Sequence, residues 1–287
     1  MITLLCKLPT VLLALLGAPL FAVMAALALI SFFSAGIDVS AVIIEMSRLA
    51  DTPLLLSLPL FTFAGSLLAA SRAPQRLLRL SRVLLGWLPG GLAVIALLVC
   101  AVFTAFTGAS GVTIFAVGGL LFPALLADRY PERFSLGLLT SSGSLGLLFP
   151  PSLPLILYGV VSGARVDHLF VAGILPGILM LLLLGIYSMR QGRGAPPRDR
   201  KAPGEITAAL RDAVWELPLP VIILGGIYGG ILVANEAAAV TALYVIIVEV
   251  FIYRDISARR LTAIMVESMV LFGGILVVLA SDRKSVV

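Results

Sequence analysis

Polar positions are so sparse along this chain that the apolar blocks between them define it. Residues 8–37, 52–71, 83–127 and 134–164 contain no Asp, Glu, Lys or Arg. About 20 apolar residues in a helix cross the hydrocarbon of a bilayer, so these blocks predict an all-α polytopic membrane protein. The runs are solid rather than alternating at period two, which excludes a transmembrane β-barrel. Gly and Pro punctuate them. Residues 4–16 and 18–35 read as two helices joined at Gly17-Ala18-Pro19, a retained helix pair rather than a signal peptide. Residues 37–50 carry Asp38, Glu45 and Arg48 and read as an interfacial amphipathic helix. The block 52–71 is interrupted by Pro59; a basic segment, 72–82, and the interfacial anchor Trp87 follow. The block 88–127 is broken at Thr107-Gly108-Ala109-Ser110-Gly111, and 134–163 at Phe149-Pro150-Pro151-Ser152, while 169–189 is an uninterrupted span. Residues 191–204, rich in Arg, Pro and Gly, read as a solvated loop. An amphipathic stretch at 205–216, spans at 217–233 and 237–253, an apolar block at 261–280 and a polar tail at 281–287 complete the chain.

Composition sharpens this reading. The 287 residues are 60% hydrophobic and 12% charged, against roughly a quarter charged in soluble domains, and the mean hydropathy is +1.13. A soluble enzyme is excluded. The net charge of +5 could suggest nucleic acid, but its distribution argues against that. Arg72, Arg76, Arg79 and Arg82 form one cluster with no acid among them; Arg190, Arg193, Arg198, Arg200 and Lys201 form a second, and Arg254, Arg259 and Arg260 a third. Cations flanking apolar blocks are topology determinants that face the cytoplasm and the anionic surface of the lipid bilayer. Cys6 and Cys100 lie in apolar helices without ligand spacing, and His168, the single histidine, cannot build a metal cluster.

If 72–82 and 190–201 are both cytoplasmic and 128–133 is periplasmic, an even number of crossings separates the basic segments, yet only three apolar blocks lie between them. One block then crosses twice or re-enters by its own face, and the two broken blocks are the candidates. Broken helices persist at membrane depth only where protein or a wet cavity covers them, so the pattern points to a transport site. A weak internal repeat agrees: Asp38-Val39-Ser40-Ala41 and Asp255-Ile256-Ser257-Ala258 each follow a helix pair and open an amphipathic stretch. Transporters are often built from such repeats in inverted topology.

Thr104, Thr107, Ser110 and Thr113 surround Gly108 and Gly111 inside an apolar block. An unwound turn there exposes carbonyls and hydroxyls able to coordinate a small cation or a carboxylate; the alternative is a small-residue packing face. Ser141, Ser142, Gly143, Ser144 and Gly146, followed by Pro150, Pro151 and Ser152, make the second such element, where two prolines stop the helix. Glu249 and Glu267 are acids inside spans, candidates by default, although both lie near ends where they can reach the interface. Glu236 reads as a helix cap, and Gly226 with Gly230 as a GxxxG packing seam. Gly108-Ala109-Ser110-Gly111 also resembles the GxSG of rhomboid intramembrane proteases, but His168 sits in a charged turn, the wrong setting for their activating histidine.

The chain resembles the large membrane subunit of TRAP (tripartite ATP-independent periplasmic) transporters, the DctM-type permease. The resemblance rests on Leu58-Pro59-Leu60-Phe61 with Ala64-Gly65, Gly90-Gly91-Leu92-Ala93 and Gly108-Ala109-Ser110-Gly111. It continues through Pro150-Pro151-Ser152 with Tyr158-Gly159-Val160, Phe170-Ala172-Gly173-Ile174-Pro176-Gly177, Pro220-Val221-Ile222-Ile223-Leu224-Gly225-Gly226 and Glu236-Ala237-Ala238-Ala239-Val240. It implies an inverted-repeat, elevator-type secondary transporter in the bacterial inner membrane. Its partners would be a small TRAP membrane subunit and a periplasmic substrate-binding protein, importing C4-dicarboxylates or related organic acids with sodium as the coupling ion. The candidate substrate and ion residues are then Pro59, Thr107, Gly108, Ser110, Gly111, Thr113, Ser142, Pro150, Pro151 and Ser152, with Ser110 and Gly111 as the sodium candidates. Where the family usually has an aspartate linked to sodium, this chain has Ala116. The expected organisation is a first repeat over 1–190, a linker and amphipathic segment over 191–216, an incomplete second repeat over 217–280, and a non-matching tail over 281–287. That implies a truncated or frameshifted product unable to transport alone, its break carbonyls left without partners, and the alternative to an importer is a transport-inactive membrane fragment.

Overall fold

The computed structural model describes residues 52–86, 90–108, 110–192 and 203–282, with parts of 12–44. The expectations for 4–16, 37–50, Trp87, most of the linker and 283–287 fall wholly or largely outside the described residues. Those residues are helical, with no strand among them. They divide into two compact units, Met1–Leu55 with Met269–Val287, and Leu56–Ser268. The first unit contains α1 (Leu20–Ser34), which carries no charge; Ser31 Oγ in it donates to the Leu27 carbonyl at 2.7 Å.

The second unit holds α2 (Ser57–Ala70), α3 (Ala73–Leu85), α4 (Gly91–Thr107), α5 (Ser110–Ala116), α6 (Gly118–Ala127), α7 (Glu132–Leu145), α8 (Leu153–Ser162) and α9 (Val166–Gln191). After the linker come α10 (Pro203–Asp212), α11 (Pro218–Tyr228), α12 (Ala234–Ile246) with a π-helical extension Ile247–Ile252, and α13 (Ala258–Asp282), whose first residues belong to this unit. Among the described residues, three helices are long and apolar enough to cross a membrane: Pro53–Ala70, Val166–Gln191 and Ala234–Ile252. Two further pairs qualify only jointly. Ser110–Ala116 with Gly118–Ala127 is bent by 50°, and Glu132–Leu148 with Leu153–Ser162 by 42°.

Helix α4 is the centre. Fourteen of its 17 residues are buried, as an all-round apolar helix requires, and it packs against α2, α3, α7 and α9. Helix α9 is its opposite. Leu175, Leu179, Leu182 and Leu183 point outward while Gly173 and Gly177 face in. A Cβ on Gly173 would lie 2.4 Å from the Leu148 carbonyl, and one on Gly177 2.8 Å from the Phe149 ring. Lipid is as apolar as leucine, so small residues go where helices must approach and large ones face the bilayer. Buried hydroxyls within these helices return to their own backbone: Thr62 donates to Leu58 O at 2.7 Å, Thr241 to Ala237 O at 2.6 Å and Ser268 to Ile264 O at 2.8 Å.

Several expectations are corrected. Pro59 does not end its block; it lies in the first turn of α2, just after the 3-10 helical turn Pro53–Leu56, and the helix runs on through it to Ala70. Gly226 and Gly230 form no packing seam. The helix ends at Tyr228, Gly230 has a φ of +68°, and the Ile231 and Leu232 amides return to the Gly226 carbonyl at 3.0 and 2.9 Å, so the pair builds a helix-ending turn. Glu249 does not reach the interface: it is fully buried and both its oxygens accept from Arg76 Nη2 at 3.0 Å. Glu236 does cap, its carboxylate accepting the Val233 amide at 3.0 Å. The two related aspartates differ in use. Asp38 accepts the Ser40 amide at 2.8 Å, whereas Asp255 accepts the Arg72 amide at 3.1 Å, far along the chain.

Candidate functional site

Both helix breaks occur where the sequence places them, and the structure brings them together. Gly108 ends α4 with a φ of +63°, a left-handed turn that glycine adopts without strain, and its amide donates to Thr104 O at 2.8 Å. A Cβ at Gly108 would stand 2.1 Å from Leu153 Cγ. Leu153 opens α8 immediately after Pro150-Pro151-Ser152. The first break therefore packs on the restart of the second.

Hydroxyls line this junction. Thr107 Oγ1 and Thr113 Oγ1 are both buried and lie 3.0 Å apart, joining the end of α4 to α5 across the turn. Ser152 is buried, and its Oγ donates back across the second break to the Leu147 carbonyl, while its own carbonyl accepts the Ile156 amide at 3.1 Å. The expectation that the break carbonyls lack partners therefore fails at Ser152. Ser142 Oγ donates to Leu139 O at 3.1 Å and also faces the buried Cys100 thiol. Thr104 is fully buried and its Oγ1 has no partner; a Cβ on Gly146 would come within 2.4 Å of Thr104 Cβ.

The remaining candidates spread outward from there. The Ser110 carbonyl faces Gly143, where a Cβ would approach it to 3.5 Å, and Gly111 is exposed with open space where a Cβ would stand. Pro150 and Pro151 line an entirely apolar cavity of about 290 Å³ with Phe106, Phe149, Ile174 and Ile223. Its lining side chains among the described residues are all apolar and offer a carboxylate no donor. Pro59 sits at the far end of the helix whose Gly65 meets the last turn of α4, where a Cβ would lie 2.4 Å from Thr107 Cα. The structure thus gathers Thr107, Gly108, Thr113 and Ser152, and sets Pro59 and Gly111 apart.

Sequence reading missed the second polar centre. Arg76, on the amphipathic α3, binds Glu216, Glu249 and Asp255 together. Its partners lie 140 to 179 residues away in the chain, and no local spacing could announce them. The nearby Arg79 pairs with Asp212, and α3 packs on α10 through Leu80, Val83, Ala209 and Ala213. The basic helix and the post-linker helix thereby share one end of this unit. His168 lies exposed in the first turn of α9, 3.9 Å from Asp167, which also accepts from Arg165.

Comparison with known proteins identifies the family. A family model described as the tripartite ATP-independent periplasmic transporter, DctM component, matches residues 8–285. The ectoine TRAP transporter large permease protein TeaC of Halomonas elongata is 35% identical over 88% of the chain and 60% of its own length. The C4-dicarboxylate TRAP transporter large permease protein DctM of Pseudomonas aeruginosa is 34% identical over 80% and 55%. The 2,3-diketo-L-gulonate TRAP transporter large permease protein YiaN of Escherichia coli is 33% identical over 82% and 56%. The chain spans between half and two thirds of the length of these relatives.

Proposed function

Given that this chain belongs to the DctM family of TRAP transporter large permeases, we propose that it forms the membrane permease part of an importer of organic acids, of the C4-dicarboxylate kind, working by ion-coupled alternating access in a bacterial inner membrane. Membership makes it a multi-pass membrane protein and a transporter component rather than an enzyme, which removes the intramembrane-protease reading. The observation that carries the proposal is the junction of the two breaks, where Gly108, just ahead of the first bent pair, packs against Leu153 at the bend of the second. Broken helices at membrane depth are where transporters expose backbone groups to solute and ion.

In this reading Ser110 and Gly111 hold the coupling ion, sodium, and Thr107, Thr113, Ser142 and Ser152 fix the geometry of the unwound turns around it. A small TRAP membrane subunit and a periplasmic binding protein deliver the solute. Residues 1–190 form one repeat, 191–216 connect, and 217–280 begin the second. The relatives named above carry ectoine, C4-dicarboxylates and 2,3-diketo-L-gulonate, so the choice of acid rests on analogy with the dicarboxylate members.

The test is radiolabelled uptake into proteoliposomes with a cognate small subunit and binding protein, run on this chain and on the chain extended to its relatives' length. Uptake that needs both the binding protein and an inward sodium gradient is expected of the extended form. Zero uptake of every organic acid in both forms overturns the proposal. Ser110→Ala in the extended form should weaken uptake or shift its cation dependence, whereas Ser71→Ala should not; equal small effects at Ser110, Ser152 and Ser71 would favour plain helix packing.

A further inference from the structure

Arg76 uses its whole guanidinium fork. Nε donates to Glu216, Nη1 to Asp255 Oδ2 at 2.6 Å, and Nη2 to both oxygens of Glu249 at 3.0 Å. The Tyr253 ring covers its face at 3.8 Å. Tyr253 Oη lies 2.6 Å from the Asp212 carbonyl and 3.2 Å from Glu216 Oε2. The groups facing this centre come from every element around it: Arg72 and Ser71 ahead of α3, Arg79 on it, Asp212 at the end of α10 and Glu216 after it, Tyr244 on α12, Glu249 in the π-helical extension, and Tyr253 and Asp255 beyond. Arg79 is taken by Asp212, and the Arg72 side chain, 81% exposed, only reaches 4.0 Å from Asp255.

The charges do not balance. Three carboxylates meet one buried guanidinium and one solvated arginine, and the side chains of Glu249 and Glu216 are 0% and 2% exposed. A buried carboxylate without a full counter-charge is expensive, and in proteins such a group takes up a proton instead. Burial pushes the Glu216 carboxyl above the usual range even though Arg76 and Tyr253 pull it down. Among the described residues no cluster of three His, Cys, Asp or Glu is arranged to hold a metal ion.

We propose that the Arg76 cluster binds one proton in the folded protein, shared by Glu216 and Glu249, and so acts as a pH-dependent clasp between α3 and the segments following the linker. This inference does not rest on the transport reading. Its sign follows from linkage. Between the ordinary carboxylate range and the pH at which the cluster gives up its proton, the folded state binds one proton more than the unfolded state, so stability falls as pH rises. A whole proton corresponds to about a tenfold loss of the folded-to-unfolded ratio per pH unit.

The test is the thermal midpoint of the purified full chain in detergent, read by size-exclusion chromatography from pH 5.5 to 8.5. It is run on the natural sequence, Glu249→Gln, Glu216→Gln and Arg76→Gln. The natural chain should lose stability steadily as pH rises. At least one of the two Glu→Gln chains should have a flatter profile and match or exceed the natural chain at pH 8, because the amide replaces a protonated carboxyl. Arg76→Gln should be least stable throughout. A pH-independent midpoint in the natural chain overturns the proposal. So does a failure of both Glu→Gln chains to fold, which would mean that both carboxylates must be ionised.

Discussion

Replacing Gly65 by alanine adds a single methyl group where α2 crosses closely over α4, and the structure fixes both the sign and the scale of its effect. The new Cβ would lie 2.4 Å from Thr107 Cα, 2.5 Å from Phe106 O and 2.7 Å from Phe106 C. Carbon atoms in contact prefer about 3.5–4.0 Å, so α2 and α4 must separate by roughly 1 Å, and all three obstacles are backbone that cannot rotate away. Overpacking of this kind costs about 1–3 kcal/mol. Gly137→Ala provides the opposite sign on the same chemistry. That residue is exposed on α7 with open space around its Cβ position, and alanine should gain about 0.5–1 kcal/mol of helix stability there. Thermal midpoints by size exclusion in detergent should therefore fall by several degrees for Gly65→Ala and hold or rise for Gly137→Ala. A Gly65→Ala midpoint at or above that of the natural chain would refute the close crossing, and with it the placement of Thr107 against α2.

The Thr107–Thr113 bond should behave as a coupled pair. Each single change to valine removes that shared bond and costs about 1 kcal/mol, while the double change costs less than the sum of the two; strict additivity in chemical denaturation would show that the two hydroxyls do not meet. For topology, Arg72→Cys and Arg211→Cys should react with a membrane-impermeant thiol reagent from the same side, because α3 and α10 pack together, and Arg129→Cys from the other; opposite sidedness of the first two would sink the shared-end arrangement. Ser152→Ala should lower the thermal midpoint by an amount equivalent to about 1 kcal/mol, since its hydroxyl ties the second break to Leu147; an unchanged midpoint would leave that bond without weight.

What could be read from sequence was whatever depends on near neighbours. The break at Gly108 was visible because a glycine between hydroxyl residues interrupts an otherwise continuous apolar run, and the break at Pro150 because two prolines withdraw two amides. The length of α9 followed from an uninterrupted block of the right size. Pro59 misled because proline breaks a helix only beyond its first turn, and the start of α2 at Ser57 is not marked by any capping residue. Gly226 and Gly230 misled for the converse reason: a four-residue glycine spacing suits a helix face only if the helix continues, and this one stops at Tyr228. That the two breaks meet is a tertiary fact, carried by the fit of Leu153 over a residue with no side chain.

The arginine cluster shows the limit most clearly. Counted along the chain, Arg72, Arg76, Arg79 and Arg82 have no acid among them, and the positive-inside rule explains them as surface charges. In space their environments differ, although positions 72, 76 and 79 follow an i, i+4, i+7 spacing that puts them on one face. Arg72 stays in solvent, Arg79 pairs half-exposed with Asp212, and Arg76 turns inward onto three carboxylates. One periodic pattern thus serves two purposes: the outer arginines can orient the helix at the membrane surface, while the inner one joins segments separated by the linker. Charge counting gives each arginine the same weight, and the fold does not. The buried member carries the long-range connection because only there, away from water and salt, does a single guanidinium hold distant carboxylates firmly.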